Sequence, residues 1–408
     1  MVDTEKMGSR FLLLFVIICQ LTTLLEARYP VVLVPGDGGS QFMAKLNKST
    51  GPHEFCQQKT SYYFNLWLNL EELAPYVIDC FVDNMKLHYN STSHTTSNTP
   101  GVDIVIPGFG NTSSVEWLDP DYYVHFSSTS YFAPIVEALV KWGYKRGESV
   151  RGAPYDFRKA PNEFDVFYKN LTSLVEDTYV RNNNTKVILI AHSMGNPTTL
   201  YFLNHRPQVW KDKYLHCLIT ISGVWGGAVK PLRLFSAGDN LNVPFVEGIN
   251  VREEQRSMPS SAFLMPSEKF WAANEVLVSQ PKRNYTVKDY KAFFTDLGIP
   301  NAYLMRQDTE NLVKDLIPPG VEIHCLHGVQ VPTPLQFIFK EGMWPDKQPK
   351  VVTGNGDGTV NIRSLHGCLS WQGKQKQKIY HKEFPKAEHT EILSNKDVLA
   401  YIKTVVNS

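Results

Sequence analysis

Three residue types, in one order along the chain, could together open an ester. Ser193 stands in Ala191-His-Ser-Met-Gly195, Asp357 in Gly354-Asn-Gly-Asp-Gly-Thr-Val360, and His389 in Pro385-Lys-Ala-Glu-His-Thr390. A serine hydroxyl is a poor nucleophile until an imidazole takes its proton. The imidazole in turn needs a carboxylate to fix its tautomer and stabilise its charge. Asp346 and Glu388 are the rival acids, and His366 and His381 the rival bases, but none sits as well in a strand-end loop. The Asp357 loop also has the glycine pattern of a calcium-binding turn, yet lacks the flanking acids such a site needs. His324-Cys-Leu-His327 suggests zinc only weakly, because positions 324 and 327 would point to opposite faces of a strand. No metal and no cofactor are therefore expected.

Positioning these groups requires particular elements. Val187 to Ala191 is a short, continuous apolar run, and apolar positions recur at helical spacing from Asn196 to Leu203. Strand, sharp turn and helix would lift Ser193 off the end of a sheet, with small residues at 191 and 195 letting the two elements close up. Tyr29-Pro-Val-Val-Leu-Val-Pro-Gly36 reads as the first buried strand and runs into Asp37-Gly-Gly39. The loop after such a strand can supply one oxyanion donor and the residue after the nucleophile the other, which makes Asp37 and Met194 the candidates. Further strands are expected at Val150 to Tyr155, Leu215 to Ser222, Val321 to Val329 and Lys350 to Thr353. Helices are expected over 131–142 and 164–179, and a last one is N-capped by Ser394. Strands alternating with helices imply a mostly parallel sheet, hence an α/β fold. Between 228 and 319 the alternation is lost, and aromatic, proline-interrupted pieces suggest an inserted cap or lid.

Composition is that of a folded protein, with 43% hydrophobic and 20% charged residues, and a net charge of +1 gives no reason to expect nucleic acid. Twelve histidines would raise that charge at acid pH, which predicts attraction to anionic membranes. Residues 1–27 read as a secretory signal, leaving 28–408 as the mature body. Cys56 pairs with Cys80 and Cys325 with Cys368, leaving Cys217 as a buried thiol in an apolar run. Sequons begin at Asn47, Asn90, Asn111, Asn170, Asn183 and Asn284. The 56–80 loop is dense in aromatic and leucine residues. It either packs onto the body or inserts a tip around Leu66-Trp-Leu68 into lipid.

The chain resembles the lecithin:cholesterol acyltransferase family, particularly its lysosomal phospholipase branch. The likeness rests on Val31-Val-Leu-Val-Pro-Gly-Asp37, Trp67-Leu-Asn-Leu70, Gly152-Ala-Pro-Tyr-Asp156, Ala191-His-Ser-Met-Gly-Asn196, Tyr303-Leu-Met-Arg-Gln-Asp308, Val331-Pro-Thr-Pro334, Gly356-Asp-Gly-Thr-Val360 and Glu388-His389. The resemblance implies an α/β-hydrolase with a Ser193, Asp357, His389 triad, oxyanion groups at Asp37 and Met194, and both disulfides. It assigns Leu66, Trp67, Leu68 and Leu70 to a membrane-binding region. It further implies a lysosomal enzyme that transfers acyl groups from phospholipid membranes to water or to lipid alcohols such as ceramide, with an Asp37 carboxyl that works best protonated. No obligate protein partner is evident. A sterol acyltransferase of the same family and an inactive lipid-binding protein on this fold are the alternatives.

Overall fold

The computed structural model describes residues 28–120, 129–240, 243 and 246–408; the expected signal segment lies outside them. Six strands form the central sheet: β1 (Val31–Val34), β2 (Val150–Gly152), β3 (Val187–His192), β4 (Leu215–Ile221), β5 (Glu322–Val329) and β6 (Ile379–Pro385). Their order across the sheet is β6-β5-β4-β3-β1-β2, and every pair is parallel. A parallel sheet covered on both faces needs strands that are apolar on both sides, which is why β1 and, up to Ala191, β3 are continuous aliphatic runs, fully buried. Helices α1 (Ala133–Lys141), α2 (Asp165–Arg181), α3 (Gly195–Asn204) and α4 (Lys396–Val406) cover the sheet. This is an α/β-hydrolase fold. Among the described residues no helix is long and apolar enough to cross a membrane.

Two outworks stand on this body. In the first, residues 42–105 form a three-stranded sheet of Phe42–Leu46, Phe64–Trp67 and Val102–Val105, closed by the Cys56–Cys80 disulfide. Arg158 joins it to the body. Its fully buried guanidinium binds both Asp156 carboxylate oxygens at 2.7 and 2.9 Å, Asn98 Oδ1 at 2.8 Å and the Met85 carbonyl at 3.1 Å. The assignment of Leu66, Trp67, Leu68 and Leu70 to a lipid-facing tip is corrected here. Leu66 is wholly buried, Trp67 and Leu68 nearly so, and half-buried Leu70 packs on the same core. The edge strand Phe64–Trp67 and the residues after it turn these side chains onto the core they share with the body, which gives them a better place than lipid. The exposed aromatics of this region are Phe55, Tyr62, Tyr63 and Tyr76.

The second outwork is the cap, with a core of its own built on Phe235, Trp271, Phe293, Phe294 and Phe337. Its four-stranded sheet joins Val278–Gln280 and Arg283–Tyr285 to Val331–Ile338 and Lys350–Gly356. The cap therefore reaches beyond the expected 228–319. Lys350 to Thr353, expected in the main sheet, pairs antiparallel with Pro334 to Ile338 instead. Cys325 is bonded to Cys368, and Cys217 remains a buried free thiol. All six sequon asparagines are exposed.

Candidate active site

The site lies at the C-terminal edge of the parallel sheet, where the loops after β1, β3 and β6 meet the Asp357 loop. Ser193 adopts φ of 53° between β3 and α3, a strained turn held because Ser193 N–H donates to the Ile221 carbonyl at 3.0 Å and Asn196 N–H closes onto Ser193 O. A Cβ at Gly195 would stand 2.4 Å from the Pro35 carbonyl, and one at Gly36 would stand 2.6 Å from the Ser193 Cβ. Both glycines are thus dictated by the close approach of the β1 loop to the elbow. Ala191 is accommodated where the common pattern has the first of its two glycines.

The three expected residues converge. His389 Nε2 lies 2.8 Å from Ser193 Oγ, and His389 Nδ1 lies 2.8 Å from Asp357 Oδ2. Burial alone would raise the Asp357 carboxyl. The His389 charge and hydrogen bond, with N–H donation from Val360 and Thr359, hold it below its ordinary value. The rivals lie elsewhere: Asp346 is paired with Arg252 at 2.6 Å, and His366 and His381 belong to a separate cluster.

Asp37 follows β1 directly. The residue as a whole is exposed, while the protein packed around its carboxyl desolvates it. That desolvation lifts its pKa to about 6, against the opposing pull of Lys230 and a hydrogen bond from Gly38 N–H. Burial and the charge of Arg233 push the Lys230 ammonium down to about 8. Lys230 opens a short cap helix, Lys230–Phe235, and no motif singled it out in the sequence.

Two further groups escaped the sequence reading. Tyr131, legible only as a helix-side aromatic, accepts from Gly36 N–H at 2.9 Å and bonds His192 Nδ1. His192 Nε2 lies 2.8 Å from the His389 carbonyl. Because a carbonyl only accepts, His192 carries its proton on Nε2 and the Tyr131 hydroxyl donates to Nδ1. Burial holds this imidazole neutral, with its pKa lowered to about 3. One relay of three hydrogen bonds thereby ties the β1 loop, the elbow strand and the His389 backbone together. The other group is Trp67, whose Nε1–H donates to the Gly38 carbonyl at 2.7 Å, so the disulfide region braces the Asp37 loop.

The model of the lecithin:cholesterol acyltransferase family matches residues 63–316 and 308–396. The "lysosomal phospholipase A and acyltransferase" of Homo sapiens is 47% identical over 98% of this chain and 96% of its own length. The "phosphatidylcholine-sterol acyltransferase" of Gallus gallus is 40% identical over 89% and 87%. Among solved structures, one of the Tle4–Tli4 complex aligns with a TM-score of 0.54 at 11% identity, over 93% of this chain and 98% of that one, which bears on the fold alone. With a nucleophile elbow, a histidine and an acid in contact, and relatives of this identity along nearly its whole length, the chain belongs to the lecithin:cholesterol acyltransferase family.

Proposed function

We propose that this protein is a lysosomal serine phospholipase A and acyltransferase. Ser193 Oγ attacks the ester carbonyl of a glycerophospholipid while His389 Nε2 takes the hydroxyl proton, and Asp357 steadies the resulting imidazolium. The backbone N–H groups of Asp37 and Met194 receive the negative charge on the carbonyl oxygen. Collapse breaks the bond to the glycerol oxygen, which leaves with the proton from His389 as a lysophospholipid, and the acyl group stays on Ser193. Water or the primary hydroxyl of a ceramide then repeats the sequence in reverse. The observation that carries this reading is the unbroken contact from Ser193 through His389 to Asp357. The relatives' names supply the substrate class and the compartment.

A neutral Asp37 carboxyl suits this chemistry, because a carboxylate there would oppose the developing oxyanion. Its pKa of about 6 leaves it neutral in an acid compartment. The membrane face is assigned to Phe55, Tyr62, Tyr63 and Tyr76, aromatic side chains exposed within one segment. Glycans on the six exposed asparagines and removal of residues 1–27 complete the picture of a secretory-route protein. The test is incubation with phospholipid liposomes containing ceramide, at acid and neutral pH, with Ser193→Ala as control. Lysophospholipid, free fatty acid and acylated ceramide are expected from the parent at acid pH and none from the variant. Acyl transfer to cholesterol but not ceramide would favour the sterol enzyme instead, and no turnover at all would leave a lipid-binding protein.

A further inference from the structure

Away from the triad, on one face of the sheet edge, three histidines and a glutamate meet. On β5, Cys325 and His327 point to the same face, and on the edge strand β6 His381 and Glu383 do likewise, with Cys325 opposite His381 and His327 opposite Glu383 in register. The Cys325–Cys368 disulfide lays the turn of 3-10 helix His366–Trp371 over this face, and that turn begins with His366. The ring centroids of His327, His366 and His381 are 5.0 to 5.3 Å apart. Their ligand nitrogens and a Glu383 oxygen all lie within 4.8 Å of one another. His324 faces the opposite side, stacked on Tyr380 and bonded to Tyr401, so the 324–327 pair considered from the sequence has no part in it.

We propose that His327, His366, His381 and Glu383 form a binding site for a divalent transition-metal ion of the zinc class. Three imidazoles and a carboxylate are the donor set that zinc takes in four-coordinate sites. The donors are already oriented. His327 Nδ1 lies 3.0 Å from the Gly328 carbonyl and donates its proton there, which turns the Nε2 lone pair into the cluster, as the outer partner of a metal-bound histidine does. His327 Nε2 and His381 Nε2 are 2.8 Å apart, and His366 Nε2 is 2.7 Å from Glu383 Oε1. Ligands about 2.1 Å from a tetrahedral ion stand roughly 3.4 Å from each other, so both pairs need open by only about 0.6 to 0.7 Å. His327 is wholly buried, whereas His366 and Glu383 are more than one-third exposed, which leaves the ion a way in.

The ion would clamp the edge strand β6 and the 3-10 turn to β5. It would sit next to Gly328, where an added Cβ would meet the Ala387 carbonyl and the Asp357 Cβ, in the two loops that carry His389 and Asp357. The test uses the full glycosylated chain, freed of metal by dialysis against a chelator and titrated at neutral pH with Co2+ and then Zn2+. One equivalent of Co2+ is expected to give the intense visible absorption of a four-coordinate site, to be displaced by one equivalent of Zn2+. In the paired variant His366→Leu with Glu383→Gln, whose side chains are partly exposed, affinity should fall by more than the roughly 10–100-fold that loss of an outer partner costs. His324→Gln should bind as the parent does. Fluorophosphonate labelling of Ser193 reports that each variant is folded. No stoichiometric uptake by the parent, or uptake undiminished in the paired variant, would overturn the proposal.

Discussion

The chemistry turns on where single protons sit. Asp37, with its pKa lifted from 3.8 to about 6, is neutral below that value and charged above it. As pH rises through about 6, a negative charge therefore appears beside the carbonyl oxygen that must itself become negative, and acyl transfer should fall. Asp37→Asn, which cannot ionise, should keep a larger share of its acid-pH activity at neutral pH, and a kcat/KM profile superimposable on the parent's would remove Asp37 from this role. Its neighbour Ser193 was legible because an elbow needs small residues at fixed offsets, whatever the rest of the sequence does. The Tyr131 and His192 relay was not legible. Its hydrogen bonds join residues 36, 131, 192 and 389, and no local pattern marks a tyrosine whose partners arrive from three other segments.

Elements were legible in proportion to how much of their stability is local. The buried parallel strands announce themselves as aliphatic runs, and β3, expected at Val187 to Ala191, spans Val187–His192. The cap strands Val278–Gln280 and Arg283–Tyr285 are three residues each and pair with one another, and the hairpin is held because Val278 and Ser279 also pair with Phe337 and Ile338, partners 59 residues further along. Lys350 to Thr353 reads as a main-sheet strand for the same reason, since an apolar pair does not name its partner, which is Pro334 to Ile338 in the cap. At the last helix, capping falls to Asn395, whose side chain accepts from Asp397 and Val398 N–H, rather than to Ser394. Trp67 shows an element serving the site from a distance. Trp67→Leu keeps an apolar filling but removes the donor to Gly38 O, so it should lower kcat by about 10-fold, the order of one hydrogen bond of about 1.4 kcal/mol. Binding of the variant to liposomes should be unchanged. A loss of liposome binding with kcat intact would return Trp67 to the lipid face.

At the scale of the whole molecule, the proposed attraction to anionic membranes in acid would rest on fewer histidines than the sequence count suggests. Burial lowers His192 to about 3 and His327 to about 4, and His216, His324 and His381 are also shifted down, so these five resist charging. The apolar part of the proposed contact would then fall to the exposed aromatics. Tyr62→Ser with Tyr76→Ser should weaken sedimentation with phospholipid vesicles by about 10-fold, as expected from removing two interfacial side chains. Hydrolysis of a soluble short-chain ester should be unaffected, and vesicle binding equal to the parent's would place the membrane face elsewhere. Above all stands the claim that Ser193, activated by His389, carries the acyl group. It is tested most directly by intact-mass and peptide analysis after exposure to a fluorophosphonate. One phosphonyl group should be found on Ser193 in the parent, none in Ser193→Ala, and in His389→Ala labelling should be slowed by about 1,000-fold or more. Modification of another residue, or equal labelling of Ser193→Ala, would contradict it.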